Sequence, residues 1–234
     1  MAARVPGLEL FPDLSPNGAM LAFSWSGEGP TDIGALDLYV MQLPSGRPTR
    51  LVEGPGSVTY PSWSPDGTEI AFALQEATGS TVATVEVLSG EVRRLYSVSG
   101  SIEGLDWSPD GEWIVLATTE KETATPELRL LRRSDLTVCT LHDRPPEGRG
   151  DFAPVFSPDS RAVAFLRGND RGEQDAWVVP VAAGPARMVA LEGRRVSGIA
   201  WLGPKELALS ATSKLDVGLW SVHTDSGRRT LLAL

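Results

Sequence analysis

A short signature recurs five times along this chain, and the repeat constrains the fold more than any other feature of the sequence. It reads Leu14-Ser-Pro-Asn-Gly18, Trp63-Ser-Pro-Asp-Gly67, Trp107-Ser-Pro-Asp-Gly111, Phe156-Ser-Pro-Asp-Ser160 and, in degenerate form, Trp201-Leu-Gly-Pro-Lys205. The first positions are 14, 63, 107, 156 and 201, at intervals of 49, 44, 49 and 45 residues. A second marker comes after it in phase: Ser45-Gly46, Ser89-Gly90, Ser134-Asp135, Ala183-Gly184 and Ser226-Gly227. Two markers in the same order five times make chance agreement untenable.

Each marker is a turn. Proline brings the φ that position i+1 of a type I turn needs, Asp or Asn suits the next position, and Gly suits the one after that. The run before the first marker alternates, as in Val58-Thr-Tyr-Pro-Ser-Trp63, and the run after it is short and apolar, as in Ile70-Ala-Phe-Ala-Leu74. A third strand comes next, such as Val82-Ala-Thr-Val-Glu-Val87, then the second marker and a fourth strand, such as Val92-Arg-Arg-Leu-Tyr96. These runs have strand length and strand composition. No helical apolar period survives the prolines and glycines, of which the chain has 18 and 24. Four antiparallel strands per repeat make a propeller blade. The sequence therefore predicts one all-β domain over residues 1–234, a β-propeller of five four-stranded blades near 8–54, 55–98, 99–145, 146–192 and 193–234. The chain starts on a first strand and ends on a fourth, so ring closure is expected without a split velcro blade. Five blades either close as a ring or form part of a larger one. A closed ring is expected to be monomeric. Trp63, Trp107, Phe156 and Trp201, with Leu14 in the same phase, are expected to fill the wedges between blades.

The repeat Pro61-Ser-Trp-Ser-Pro-Asp-Gly-Thr-Glu-Ile-Ala-Phe72 resembles the TolB-like, or WD-like, β-propeller repeat, and Leu21-Ala-Phe23 and Leu38-Tyr-Val40 fit its second and third strands. The resemblance runs from about Leu8 to the end of the chain. It implies the propeller fold seen in the periplasmic TolB protein, in gating domains of prolyl-oligopeptidase-like proteases and in some bacterial kinases and regulators. The fifth copy has lost Ser-Pro-Asp-Gly, and the fourth carries Ser160 for Gly. TolB-like propellers usually have six or more blades.

Composition narrows the function classes. The formal net charge of −9 opposes phosphate backbones, so no nucleic-acid partner is expected. Arg93-Arg94, Arg132-Arg133, Arg194-Arg195 and Arg228-Arg229 are isolated pairs, and two of them open outer strands, where charge blunts an exposed edge. Cys139 excludes an intrachain disulfide and reads as a half-buried thiol. No signal-peptide pattern or membrane-length apolar run is visible. A cytoplasmic location is expected if Met1 is the native start, with the periplasm as the alternative.

Catalytic chemistry is not legible. There is no Gly-x-Ser-x-Gly, and His142 and His223 have no placed partners and read as surface residues. Asn169-Asp-Arg-Gly-Glu-Gln-Asp175 lacks calcium-loop spacing and reads as a hairpin. No cofactor, metal or catalytic residue is assigned. Residues entering the first strand of each blade should face the channel mouth: Glu9, Thr59, Tyr60, Glu103, Asp151, Phe152 and Ser197. With three carboxylates and two aromatics, they suit a basic protein or peptide. The insert Gly27–Gly34 is a possible contact loop. The expected function is a non-enzymatic binding module. The alternatives are a sensor or gating propeller of a larger regulator, kinase or protease, and a hydrolase or lyase with its site in the channel.

Overall fold

The computed structural model describes residues 9–27, 35–120, 125–142, 149–169, 172–182, 184–189, 195–212 and 217–233. The described residues contain strands and turns and no helix. Blade one is β1 (Glu9–Leu14), β2 (Met20–Trp25), β3 (Asp37–Gln42) and β4 (Thr49–Val52). Blade two is β5 (Ser57–Trp63), β6 (Glu69–Glu76), β7 (Gly79–Glu86) and β8 (Val92–Val98). Blade three is β9 (Ile102–Trp107), β10 (Trp113–Thr118), β11 (Glu127–Arg132) and β12 (Val138–Thr140). Blade four is β13 (Asp151–Phe156), β14 (Ala162–Gly168), β15 (Gln174–Pro180) and β16 (Arg187–Met188). Blade five is β17 (Arg195–Gly203), β18 (Glu206–Thr212), β19 (Val217–His223) and β20 (Arg229–Ala233). Every sheet is antiparallel, keeps its strands in chain order and borrows none from elsewhere. The five blades form a ring, a five-bladed propeller.

The second strand of blades two, three and four is apolar on both faces because both faces are covered. Ile70, Phe72 and Leu74 of β6 pack toward blade one, while Ala71 and Ala73 pack toward blade three. Along β10, Ile114 and Leu116 face blade two, and Val115 and Ala117 face blade four. Along β14, Val163 and Phe165 face blade three, and Ala164 and Leu166 face blade five. This is the period-two alternation of a strand, with each phase committed to a different neighbour. The expected aromatics sit in these seams: Trp63, Trp107 and Phe156 are buried, and Trp201 is half-buried. Leu14 departs from the expectation, with 54% of its surface exposed. It pairs with Leu21 on the face of blade one that looks away from blade two. The four apolar clusters found among the described residues all lie between consecutive blades from one to five.

The hairpin between the first two strands owes as much to serine and aspartate as to proline and glycine. Ser64 Oγ donates to Asp66 Oδ1 at 2.6 Å and accepts the Glu69 amide at 2.9 Å, while Asp66 Oδ1 accepts the Thr68 amide at 3.0 Å. The same net recurs around Ser15 and Asn17, Ser108 and Asp110, and Ser157 and Asp159. The Ser64 hydroxyl, with the Thr68 amide and hydroxyl, holds the Asp66 carboxyl below its ordinary pKa. Ser160 takes the glycine's left-handed place with φ 59°, and its Oγ accepts the Asp110 amide of blade three at 3.0 Å. That bond offsets the strain of a side chain in this region. Cys139, on outer strand β12, is exposed rather than half-buried, because a fourth strand has no neighbour on its outer edge.

Ser160→Ala keeps the strain and loses the bond, so it is expected to lower stability by about 1 kcal/mol; Ser160→Gly relieves the strain and is expected to cost less. Urea denaturation of the two variants side by side checks the order.

Candidate functional site

The inner strands carry a local irregularity that positions everything near the channel. Register slips between Leu10 and Asp13, Thr59 and Ser62, and Phe152 and Val155. At each slip a non-glycine residue adopts a left-handed backbone: Phe11 at 54°, Tyr60 at 53° and Ala153 at 46°. Each precedes a proline, Pro12, Pro61 or Pro154. Glycine takes the same place in the other blades, at Gly104 and Gly198. A Cβ on Gly104 would lie 2.6 Å from Pro154 Cδ of blade four, so the close approach of the two inner strands requires glycine there. A bulge of this kind re-aims the side chains on either side of it.

Before the bulge lie the residues expected at the mouth. Tyr60 and Glu103 come together from adjacent blades: burial, then the Glu103 charge, push the Tyr60 phenol up to about 12. The Tyr60 ring packs on Phe11 with centroids 4.2 Å apart. Glu103 also accepts a hydrogen bond from Ser101 Oγ at 2.6 Å. Thr59 is buried and donates to the Ala73 carbonyl at 3.5 Å. Phe152 packs against the core between blades four and five. Ser197 is exposed and lines a groove of about 410 Å³ with Glu173, Gln174 and Arg195. The backbone of Glu9 pairs with Trp25.

Asp151 is fully buried, and its charge is committed inside the protein. Arg167 grips it with two bonds, of 2.5 and 2.8 Å, and His142 Nε2 lies 3.0 Å from its second oxygen. Arg167 lies over Phe165 and Trp177, and His142 stacks on Phe165. The expectation that His142 is a surface residue is therefore corrected: its side chain is buried and ties blade three to blade four. His223 keeps a turn role, with Nδ1 accepting the amides of Asp225 and Ser226, each at 3.3 Å. In the 169–175 segment, Glu173 N donates to Asn169 Oδ1 at 3.0 Å and Asn169 N to the Glu173 carbonyl at 2.8 Å, as in a turn; residues 170 and 171 lie outside the described residues. The possible contact loop from Gly27 to Gly34 also lies outside them, apart from Gly27. No group of three or more His, Cys, Asp or Glu that could hold a metal occurs among the described residues. No described helix is long and apolar enough to cross a membrane.

After the bulge lies a set of contacts that the sequence alone did not disclose. In blades one to four the residue before the seam position, Asp13, Ser62, Asp106 or Val155, faces forward, toward the next blade. Asp13 Oδ2 accepts the Trp63 amide at 2.8 Å, Ser62 Oγ accepts the Trp107 amide at 3.0 Å, and Asp106 Oδ2 accepts the Phe156 amide at 2.6 Å. Val155 has no such side chain, and its carbonyl accepts Trp201 Nε1 at 3.0 Å instead. Burial raises the Asp13 carboxyl above its ordinary range and lifts the Asp106 carboxyl to about 7. The signal was present in the position before each aromatic, which reads Asp, Ser, Asp, Val and Ala.

The TolB beta propeller domain matches the sequence over residues 1–149. The chain belongs to that family. Its fold is similar to that of TolB from Acinetobacter baumannii, at 15% identity and a TM-score of 0.80 over 97% of this chain and 55% of that one. It is also similar to the putative TolB from Agrobacterium tumefaciens, at 19% identity and a TM-score of 0.59 over 97% of this chain and 66% of that one. A structure of the nidogen/laminin complex matches at 11% identity and a TM-score of 0.73, over 96% of this chain and 79% of that one. The chain thus spans less than two thirds of the TolB chains it matches. No curated protein matches the sequence.

Two predictions rest on these carboxyl groups. Arg167→Met leaves Asp151 buried without its strongest partner and is expected to cost about 3–5 kcal/mol in chemical denaturation. Asp106 holds its proton to about 7 in the folded chain, whereas an unfolded aspartate releases it near ~3.9. The stability this group contributes is therefore full below the unfolded value and is lost as pH rises through about 7. Asp106→Asn is expected to flatten the fall in melting temperature between acid and neutral pH.

Proposed function

We propose that the chain is a non-enzymatic binding module that presents the mouth of its channel to a basic segment of a protein or peptide. The observation that carries this reading is the meeting of Phe11, Tyr60 and Glu103 across three inner strands, an aromatic surface beside a carboxylate. A guanidinium or ammonium group gains from both. The proposed binding set is Glu9, Thr59, Tyr60, Glu103, Asp151, Phe152 and Ser197. Within it Glu103 and Tyr60 act directly, while Thr59 and Asp151 hold the strand entries from inside. The net charge of −9 adds long-range attraction. Family membership supports the reading, as does the matched propeller from a nidogen/laminin complex, which is a protein–protein assembly.

A second reading is a gating or sensor propeller of a larger protein. It is favoured by similarity to a puromycin hydrolase and to prolyl endopeptidases, of which this chain spans 37% in each case. Under the first reading the periplasm, where the resemblance puts TolB, becomes the compartment to test.

Selection of peptides from a random library on the immobilised chain tests the proposal. Enrichment of Lys- and Arg-containing sequences is expected. Glu103→Lys should weaken binding of the selected peptides by about tenfold, and added salt should weaken it further. Failure to enrich any peptide, or unchanged affinity in Glu103→Lys, would count against the mouth as the binding surface.

A further inference from the structure

The outer edge of blade five differs from the outer edges of the other four. The fourth strand of a blade leaves one row of N–H and C=O groups without a strand partner, and proteins guard such a row by keeping it short or by charging it. β12 has three residues and β16 has two. β4 has four, among them Arg50, paired to Asp37 and Glu53. β8 is longer and carries Arg93 and Arg94, paired to Glu91 and Glu76. β20 runs for five residues, and its one charge, Arg229, stands at the first position. All five residues are exposed, Leu231 at 40% and Leu232 at 47%. Leu219, on the adjoining strand, is exposed as well. Among the described residues no strand pairs with the far side of β20.

We propose that β20 is a dimerisation edge, and that it pairs antiparallel with β20 of a second copy of the chain about a two-fold axis at Thr230. The backbone directions carry the register. His223 N donates to the Arg228 carbonyl at 2.9 Å, and the pairs that follow are Val222 with Arg229, Ser221 with Thr230 and Trp220 with Leu231. Bonding alternates along an antiparallel ladder. Thr230 therefore turns its N–H and C=O toward β19, while Arg229 and Leu231 turn theirs outward. The register slips after Leu231, so the regular part of the edge ends there.

That edge is complementary to itself. About an axis at Thr230, Arg229 lies opposite the partner's Leu231, and each of the two pairs exchanges both of its backbone bonds. All the outward groups of Arg229 and Leu231 are then satisfied at once. Thr230 faces the partner's Thr230, a favourable cross-strand pair. The aliphatic stem of Arg229 covers the partner's Leu231, with its charged head left in water. The two sheets of blade five join into one. The rotation reverses the strand direction, so the two channel mouths open on opposite sides and both stay free.

Two like-charge terms oppose the pairing. Each copy carries −9, and the two Arg229 residues come to about 7 Å apart along the strands, inside the screening length of about 8 Å at physiological salt. Added salt therefore strengthens the dimer, the opposite of its effect on a basic peptide at the mouth. One short strand from each copy falls short of the roughly 1,200 Å² of a stable interface. The dimer is accordingly weak, with a Kd on the order of 10–100 μM.

The test is sedimentation velocity of the full chain from about 1 to about 300 μM, across the expected Kd, at low and at physiological salt. A monomer–dimer equilibrium that tightens with salt is expected. Leu231→Lys puts a charge against the partner's Arg229 and should raise the Kd by at least about tenfold. Leu88→Lys, at an equally apolar but 95% exposed turn of blade two, should leave it unchanged. Directly opposed residues of this kind have Cα atoms about 4.5 Å apart, within disulfide range. Thr230→Cys in a Cys139→Ser background should therefore give a covalent dimer on mild oxidation, and Leu88→Cys in that background should not. A wild-type chain that stays monomeric throughout, a dimer of unchanged affinity in Leu231→Lys, or growth beyond a dimer overturns the proposal. If Leu231→Lys fails to fold by thermal melt, the absence of the Thr230→Cys cross-link overturns it.

Discussion

Blades one, two and three are each held to the next by a polar hook laid beside an aromatic wedge, and the rest of the structure depends on that junction. The innermost strand is a sheet edge, so amides that point away from its own blade have no strand partner. Asp13, Ser62 and Asp106 supply acceptors to such amides at Trp63, Trp107 and Phe156. The same aromatics then fill the seam against the preceding blade. One residue position thus packs its side chain backward and donates its amide to the blade behind it, and the next blade repeats the arrangement. The hook weakens along the chain: at Val155 it is a carbonyl holding an indole, and at Ala200 the side chain has no polar atom. Blade five, at that end, also carries exposed Leu202, Val217, Leu219, Leu231 and Leu232.

Much of the architecture was legible because the fold is built from turns that announce themselves. Ser-Pro-Asp-Gly dictates a hairpin chemically, and apolar runs such as Ile70–Leu74 dictate strands covered on both sides. The aromatic phase located the seams at Trp63, Trp107, Phe156 and Trp201. What stayed hidden depends on neighbours distant in sequence. His142 reads as an exposed residue at a strand end until β13 brings Asp151 beneath it. Asp151 reads as a mouth charge until Arg167, on the adjacent strand, neutralises it. Leu14 shares the aromatic phase but lies outside the four described clusters. The hooks stayed hidden because a lone aspartate before a tryptophan has no meaning until the next blade's amide is placed against it.

The two ends of the inner strands have different characters. The mouth end combines Phe11, Tyr60 and Glu103 into an aromatic and acidic surface, and its other acid, Asp151, is turned to structural use. The hairpin end holds a cleft with two half-buried carboxylates, Asp13 and Asp106, whose proton affinity is raised by desolvation. The bulges at Phe11, Tyr60 and Ala153 separate the two ends and carry left-handed strain in three of the five blades. Strain retained at the same position in three blades is a mark of positioning, and here it sets side chains for recognition at one end and for blade coupling at the other.

The most direct test of this account is native-state hydrogen exchange resolved at the amides of Trp63, Trp107 and Phe156. These amides lie on sheet edges and owe their protection to the side-chain hooks, so they are predicted to exchange as slowly as the ladder amides of β6 and β10. Exchange at the rate of exposed edge amides would show that the hooks do not hold the blades together, and would contradict the account.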